Sequence, residues 1–216
     1  REEIRSFWDG VVPFVVMLGL ASIAIMLFQR DMGTMMVLAF ATIGMFYVAG
    51  IRLQHLAAIL AGGLAVGWLA IISFPHRMER FLTFLNPTKD ADGTGYHISQ
   101  ALIAIGSGGI LGLGLGKSVQ VYGYLPEASN DSIFAIIGEQ FGLIGGLLVL
   151  GLFGLLVYRG LEVARTAPDT FGRLTATGIT LLILFQAFIN IAAMLSLVPL
   201  TGVPLPFISY GGSSLV

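Results

Sequence analysis

Long apolar runs separated by short polar breaks dominate the order of residues along this chain. A helix needs about 20 consecutive apolar residues to cross the hydrocarbon core of a bilayer. Five runs approach or reach that length, so we predict transmembrane helices over residues 11–28, 33–51, 56–74, 133–157 and 174–197. The predicted fold class is an all-α polytopic membrane protein, with its transmembrane helices bundled in a single membrane domain.

Two polar segments interrupt this pattern, at residues 75–130 and 199–213. The first contains a short apolar stretch, residues 101–116, with six glycines, which predicts a re-entrant or interfacial helix. Arginine is concentrated in alternate breaks, and the positive-inside rule places those breaks in the cytoplasm. We therefore predict that 75–130 is a large outer loop containing short or re-entrant helices, and that 199–213 is a second outer loop.

Composition agrees with a membrane protein, because 56% of the residues are hydrophobic and 11% are charged, against about 25% charged in soluble domains. The chain begins at Arg1 and ends just as Leu215 opens another apolar segment, so we interpret residues 1–216 as a fragment of a longer protein. Without cysteine, disulfides and thiol chemistry are excluded. The histidines are isolated in sequence, so we predict no metal site built by the protein, and no basic run indicates a nucleic-acid partner.

Asp131 is the strongest candidate for chemistry, because it lies where the long polar segment meets the next apolar run. One interpretation is a helix cap or first-turn acid, which the free amides and the dipole at a helix N-terminus favour. The other is a general base at the boundary of water and lipid, where partial desolvation raises the pKa of a carboxyl group. Both interpretations can hold, because Ser129 or Asn130 could provide the cap instead.

Small residues recur every three or four positions in the run that follows Asp131. This spacing predicts a helix face that a second helix backbone can approach closely, with Asp131 on the same face. The small residues are Ala135, Gly138, Gly142 and Gly145 or Gly146.

Glu139 lies about 12 Å deeper than Asp131 along the predicted helix, at 1.5 Å per residue. An ionisable group at that depth is a functional candidate by default. The alternative is a structural hydrogen bond to a neighbouring helix, with Gln186 and Asn190 as candidate partners.

Three polar residues precede Asp131 and line the approach to it in sequence: Lys117, Gln120 and Glu127. Lys117 could hold a pyrophosphate as a point charge, or it could be a solvated loop lysine. It does not belong to a Walker A loop, because the first glycine of that motif would fall on Leu111. Residues 211–214 could form a backbone nest for an anion or a flexible turn.

The motifs of this chain resemble those of the SEDS proteins, the group of RodA, FtsW and SpoVE, from about Gln29 to the end. The motifs before Asp131 are Gly33-Thr34, Phe84-Leu85-Asn86-Pro87, Gly95-Tyr96, Gln100, residues 104–109 and Tyr124-Leu125-Pro126-Glu127. From Asp131 onward they are Asp131 itself, Ile133-Phe134-Ala135, Gly138-Glu139, Gly142 and residues 204–213. The chain departs from the usual motifs at Arg30, His97, Val121 and Ser129-Asn130; His97 stands where the family often has Gln.

The resemblance implies a ten-span glycosyltransferase of the bacterial plasma membrane, of which this chain covers about spans five to ten. Such enzymes polymerise lipid II into β-1,4 glycan strands at the outer face of the membrane, for cell division or cell shape, and Asp131 matches their catalytic aspartate. As substrate-binding residues we predict Lys117, Gln120, Glu127, Asn86, Tyr96, Gln100, Ser107, Ser209 and Tyr210. As structural or supporting residues we predict Glu139, Gly138, Gly142 and Pro206.

The resemblance also implies partners: lipid II, a class B penicillin-binding protein with transpeptidase activity, and proteins of the divisome or elongasome. A divalent cation, Mg²⁺ or Mn²⁺, could accompany the pyrophosphate. Two alternatives stay open. The protein could be a flippase or transporter of lipid-linked precursors, with Glu139 as its key charge, or a non-catalytic scaffold for a transpeptidase.

Overall fold

The computed structural model describes residues 16–17, 19–20, 32–86 and 93–210, and every regular element in these residues is helical. The predicted all-α class is confirmed. Most of the predicted span 11–28 lies outside the described residues, as do Pro87 and the predicted nest at 211–214. The helices are α1 Met32–Ala49, α2 Leu53–Ser73, α3 Pro75–Leu85, α4 Thr94–Gly108, α5 Ile133–Thr166 and α6 Thr170–Met194, with one 3₁₀ turn at Gln120–Tyr122.

Three of these helices, α2, α5 and α6, are long and apolar enough to cross a membrane, and α1 is a shorter apolar helix. Helix α5 runs nine residues past the predicted span, from 157 to 166. Its last turns are polar, and an exposed Arg159–Glu162 ion pair of 2.7 Å forms one turn apart on their surface. The polar residues 159–166 that follow the predicted span therefore belong to the helix. Where the membrane boundaries fall along the helices stays a prediction.

One compact unit consists of the described residues up to Ala70 together with Leu156–Phe185. Within it, α1 approaches the first part of α6 at two glycines: a Cβ added at Gly44 would overlap Leu181, and one at Gly178 would lie 2.7 Å from the Met45 sulfur. The Phe40 and Phe185 rings stack beside them, with centroids 5.3 Å apart. Glycines at a helix contact let the backbones come close, so dispersion contacts hold this pair together.

The second unit consists of Ile71–Leu155 and of Gln186 to the last described residue, Tyr210. Helix α4 ends at Gly108, so the predicted helix over 101–116 is too long. Gly109, Gly112, Gly114 and Gly116 all have φ between +54° and +96°. That backbone conformation is open to glycine but cannot continue a right-handed helix, so residues 109–116 form a loop.

This glycine loop enters a break in α5, where Gly142 has φ +64° and ψ −158°. A continuous helix would bond the Leu143 amide to the Glu139 carbonyl, and the Ile144 amide to the Gln140 carbonyl. Instead, the Glu139 and Gln140 carbonyls accept hydrogen bonds of 2.9 and 3.0 Å from the amides of residues 113 and 114. The Leu143 and Ile144 amides donate to the carbonyls of residues 109 and 110, at 2.9 and 3.3 Å. The loop thus satisfies these four backbone groups, as a broken helix in an apolar setting requires.

Gly138 and Gly142 are where α4 and its following loop contact α5. A Cβ at Gly108 would overlap the Gly138 carbonyl oxygen, and a Cβ at Gly142 would lie 2.5 Å from the Gly112 nitrogen. Gly145 and Gly146 lie outside this contact, because the atoms nearest to their added Cβ belong to α5 itself, at Phe141 and Phe134. Of the glycines on the predicted small-residue face, Gly138 and Gly142 therefore contact α4 and the glycine loop, and Gly145 and Gly146 do not.

Candidate active site around Asp131

Asp131 lies just before α5 and is buried, with 7% of its surface exposed. Its Oδ1 atom is buried without a hydrogen-bond partner, so this oxygen does not cap α5 as the capping interpretation expects. Burial raises the pKa of the Asp131 carboxyl group above its usual 3.8, and the charge of Glu127 raises it further, whereas His97, a backbone hydrogen bond at Asp131 and Arg80 act to lower it. A carboxyl group with a raised pKa and a free oxygen is suited to accept a proton.

Asn190 of α6 holds the backbone at Asp131 in place. Its Nδ2 atom donates to the Asp131 carbonyl at 2.7 Å and to the Val203 carbonyl at 2.8 Å. Only 1% of Asn190 is exposed, so these two bonds form away from water, where losing them is costly. Asn190 therefore joins α6, the Asp131 turn and the loop after α6.

Ser209 makes a second connection between the loop after α6 and the Asp131 turn. Its hydroxyl donates to the Asn130 carbonyl at 2.6 Å and accepts from the Leu205 amide at 2.7 Å. The Tyr210 amide donates to the Ser129 carbonyl at 2.8 Å, while the Tyr210 side chain is exposed. Ser209, predicted to bind substrate, thus uses its hydroxyl to position backbone, and Tyr210 leaves its ring free.

We expect Ser209→Ala to lower the free energy of unfolding by about 1–3 kcal/mol, because it leaves the buried Leu205 amide and the Asn130 carbonyl without this partner. Ser107→Ala is the matched control: the Ser107 hydroxyl bonds only within its own helix, to the Ala104 carbonyl at 2.8 Å, and an exposed change of this kind stays within about 0.5 kcal/mol. Thermal unfolding of the detergent-solubilised protein measures both. Equal melting midpoints for the two variants would contradict the anchoring role of Ser209.

Glu139 is 1% exposed, and its carboxylate anchors the segment that follows the glycine loop. The Ser118 hydroxyl donates to Oε2. The backbone amides of Val119 and Gln120 donate to Oε1, at 2.9 and 3.4 Å. The structural interpretation of Glu139 is therefore the one the geometry supports, but the candidate partners Gln186 and Asn190 were wrong. The carboxylate accepts hydrogen bonds from residues 118–120, and Gln186 instead donates to the Pro204 carbonyl at 3.1 Å.

Of the three polar residues that precede Asp131 in sequence, Glu127 has a clear local role. Glu127 is exposed and has φ +49°. Its backbone carbonyl accepts hydrogen bonds from the Asn130 and Ser132 amides, at 2.9 and 3.3 Å. The Gln120 side chain is buried, and its Oε1 atom has no hydrogen-bond partner. Lys117 is exposed. Glu127 is the member of this set whose charge acts on Asp131.

The remaining predicted residues lie on elements around the site. Asn86 is the exposed residue that ends α3, Tyr96 and Gln100 are partly buried on α4, and Pro206 is buried in the loop after α6. Among the described contacts, none joins the side chains of Asn86, Ser107 or Lys117 to Asp131. Their binding roles stay predictions.

Four residues near Asp131 were not identified from the sequence: Arg80, His97, Ser132 and Asn190 (weighed only as a partner for Glu139). One signal was present for His97. It stands four residues before Ala101, seven before Ala104 and eleven before Gly108, all of which are buried on one face of α4. This spacing places His97 on the face that packs against α5.

No cluster of three or more His, Cys, Asp or Glu side chains occurs within residues 32–86 and 93–210. Magnesium is often held by one or two carboxylates together with substrate phosphates and water. The Mg²⁺ or Mn²⁺ ion therefore stays a prediction.

Comparison with known proteins gives one consistent result. The family model described as "Cell cycle protein" (FTSW_RODA_SPOVE) matches residues 1–216. Stage V sporulation protein E of Bacillus subtilis (strain 168) is 44% identical over 215 residues, which cover 100% of this chain and 58% of that protein. A probable peptidoglycan glycosyltransferase FtsW of Marinobacter nauticus is 44% identical over 219 residues, with 100% of this chain and 55% of that protein covered. The chain thus spans little more than half the length of these curated relatives.

Solved structures agree with the sequence relatives. A chain of a peptidoglycan synthase complex, described as coordinating polymerization and crosslinking, superposes with a TM-score of 0.71 at 27% identity, over 99% of this chain and 59% of that one. The rod shape determining protein RodA of Thermus thermophilus superposes with a TM-score of 0.58 at 28% identity, over 96% of this chain and 52% of that one. With the apolar helices described above, these matches show that the chain belongs to the FtsW, RodA and SpoVE family of membrane proteins.

Proposed function

We propose that this chain carries the catalytic base of an inverting peptidoglycan glycosyltransferase, which polymerises lipid II into β-1,4 glycan strands at the outer face of the bacterial plasma membrane. The observation that carries the proposal is Asp131: a buried carboxyl group with an oxygen free of hydrogen bonds, at the position that matches the family's essential aspartate. The names of the FtsW relatives, each a probable peptidoglycan glycosyltransferase, support the same reaction class.

In the proposed reaction, the 4-hydroxyl of an acceptor GlcNAc attacks the anomeric carbon of a lipid-linked donor. The bond from that carbon to the pyrophosphate oxygen breaks, and the lipid pyrophosphate leaves with the electron pair. Asp131 Oδ1 takes the hydroxyl proton, which assists the attack. An α-linked donor gives a β-linked product by a single in-line displacement, so one base is sufficient.

Positive charge is needed where the pyrophosphate leaves. Arg80 of α3 acts electrostatically on Asp131 and lies on the predicted outer segment, as does the exposed Lys117. Both cations are proposed to bind phosphate oxygens of donor or product. A class B penicillin-binding protein is the proposed partner, supported by the likeness to a chain from a complex that couples polymerization to crosslinking.

Transport of a lipid-linked precursor is the second candidate, and it depends on Glu139 as a mobile charge deep in the membrane. Hydrogen bonds from the Ser118 hydroxyl and from the amides of Val119 and Gln120 engage both carboxylate oxygens. A carboxylate held in this way is an anchor for the loop rather than an open ion site. This geometry favours the polymerase over the transporter.

The test is glycan-strand synthesis from purified lipid II by the full-length natural protein with its transpeptidase partner, next to transbilayer movement of lipid II in sealed vesicles. We expect muramidase-sensitive polymer and no movement above that of protein-free vesicles. Movement without polymer, lost in Glu139→Gln, would establish transport instead. Transpeptidase activation with neither polymer nor movement would establish the scaffold function.

A further inference from the structure

His97 and Ser132 form a contact between α4 and the turn that carries Asp131. The His97 Nε2 and Ser132 Oγ atoms are 2.6 Å apart. The Ser132 hydroxyl also donates to the Pro126 carbonyl at 3.0 Å. A hydroxyl group has a single proton, so with that proton on Pro126, Ser132 accepts from His97, and Nε2 carries the hydrogen. The neutral ring is then protonated on Nε2 and keeps Nδ1 as its free basic site.

The packing of α4 determines where the His97 ring lies. Ala101 and Ala104, on the same face, are 0% exposed, and Gly108 lies against the Gly138 backbone. Ser132 is also 0% exposed. The contact therefore joins two segments whose positions are set by tight helix packing, and it holds the residue next to Asp131 in the chain.

His97 is also a charged neighbour of Asp131 when it is protonated. Within the described residues, the side chains whose charge acts on Asp131 are Arg80 from α3, His97 from α4 and Glu127 from the preceding turn. From α6 and the loop after it, the atoms that meet the Asp131 turn are the neutral Asn190 amide, the Ser209 hydroxyl and the Tyr210 backbone. Burial lowers the pKa of His97 below its usual 6.5, while Asp131 and Glu127 act to raise it.

We infer that His97 is a positioning residue for Asp131: it holds the Asp131 turn through Ser132, and it changes the charge beside the carboxyl group without releasing that turn. The inference rests on the proposed function for its catalytic consequence. Because protonation occurs at Nδ1, the Nε2–H bond to Ser132 persists in both charge states. Below its own pKa the ring is cationic and stabilises the Asp131 carboxylate, so the base stays ionised to lower pH than it would beside a neutral ring.

Two substitutions separate the contact from the charge. His97→Gln keeps an N–H donor for Ser132 and removes the titratable ring. We expect its maximal kcat to stay within about threefold of wild type, and the acid limb of its pH–rate profile to move up by about one pH unit. Ser132→Ala removes both bonds of the Ser132 hydroxyl, to His97 and to the Pro126 carbonyl, and keeps the ring. We expect its kcat to fall by about tenfold, because the turn that carries the base is held less precisely, with KM and the acid limb unchanged.

Ser99→Ala, an exposed change on the same helix, is the control and should match wild type in both measurements. The assay is polymerisation of lipid II by the full-length protein between about pH 4 and pH 8, which covers the ranges in which an aspartate and a histidine change charge. An acid limb that stays in place in His97→Gln overturns the charge role. A kcat in Ser132→Ala equal to that of Ser99→Ala overturns the holding role.

A second measurement does not need enzyme activity. The infrared carbonyl band of protonated Asp131, isolated as the difference between wild type and Asp131→Asn, reports the ionisation of Asp131 directly. We expect the midpoint of this titration to move up in His97→Gln. If the wild type makes no polymer while the band still shifts, the proposed function fails and the effect of His97 on Asp131 stands. If the band does not shift, the inference fails whatever the protein polymerises.

Discussion

Asp131→Asn is expected to slow the polymerisation of lipid II by about 10²–10⁴-fold, the usual contribution of a general base. Asparagine has nearly the same size and cannot accept the proton. The buried backbone contacts at this residue should survive, because the Asn190 amide bonds the Asp131 carbonyl and not the side chain. The measurement is the initial rate of glycan-strand formation by the full-length protein with its transpeptidase partner.

The control is Asp169→Asn, the same chemical change at an exposed aspartate that bonds the Gly172 amide at 3.1 Å near the start of α6. It should polymerise at the wild-type rate. The melting midpoints of both variants and their binding to the transpeptidase should also match wild type. Undiminished polymer from a folded Asp131→Asn protein would remove Asp131 from the mechanism and return attention to Glu139.

The pH dependence of the wild-type rate follows from the direction of the Asp131 shift. A base acts only when it is deprotonated, so the rate should rise with pH through the pKa of Asp131 and then level off. Burial raises that pKa above 3.8; the acid limb should therefore lie above the range of an exposed aspartate. In Asp131→Asn this limb should disappear from the residual rate.

Gly142→Ala is expected to destabilise the protein strongly, because Gly142 has a backbone conformation with φ +64° and ψ −158°. This conformation belongs to a region used almost only by glycine, and it costs other residues about 1–3 kcal/mol. The added Cβ would also lie 2.5 Å from the Gly112 nitrogen and from the Ile110 oxygen, and such overpacking costs about 1–3 kcal/mol more. We expect a lower melting midpoint and a lower yield of folded protein in detergent.

Gly154→Ala tests whether this cost comes from the break or from any glycine in α5. Gly154 is on the same helix and has open space where a Cβ would be. An alanine there should be neutral or stabilise the helix by about 0.5–1 kcal/mol. If Gly142→Ala melts like Gly154→Ala, the helix can close the break at little cost, and the glycine loop is not needed to stabilise it.

Hydropathy was sufficient to predict the fold class and most of the described apolar helices. In lipid the backbone must bond to itself, so a long apolar run has few structures open to it. The same pattern made Asp131 a candidate for chemistry, because a carboxyl group between a polar segment and an apolar helix can be recognised from the sequence alone. Motifs spread along the chain then carried the resemblance to a family, which the comparisons confirmed.

The surroundings of Asp131 depend on residues far apart in the chain, and the tertiary structure decided them. Gly142 was predicted to belong to a helix face, but it breaks the helix because residues about 30 positions earlier offer the missing hydrogen bonds. The structural interpretation of Glu139 named a neighbouring helix as its partner, but amides of the segment after the glycine loop bond its carboxylate. An isolated histidine became a neighbour of Asp131 because close glycine contacts bring α4 onto α5. A hydrogen bond or a charge acts through space, so local sequence predicts which groups need partners, and only the packing of the chain decides which partners they find.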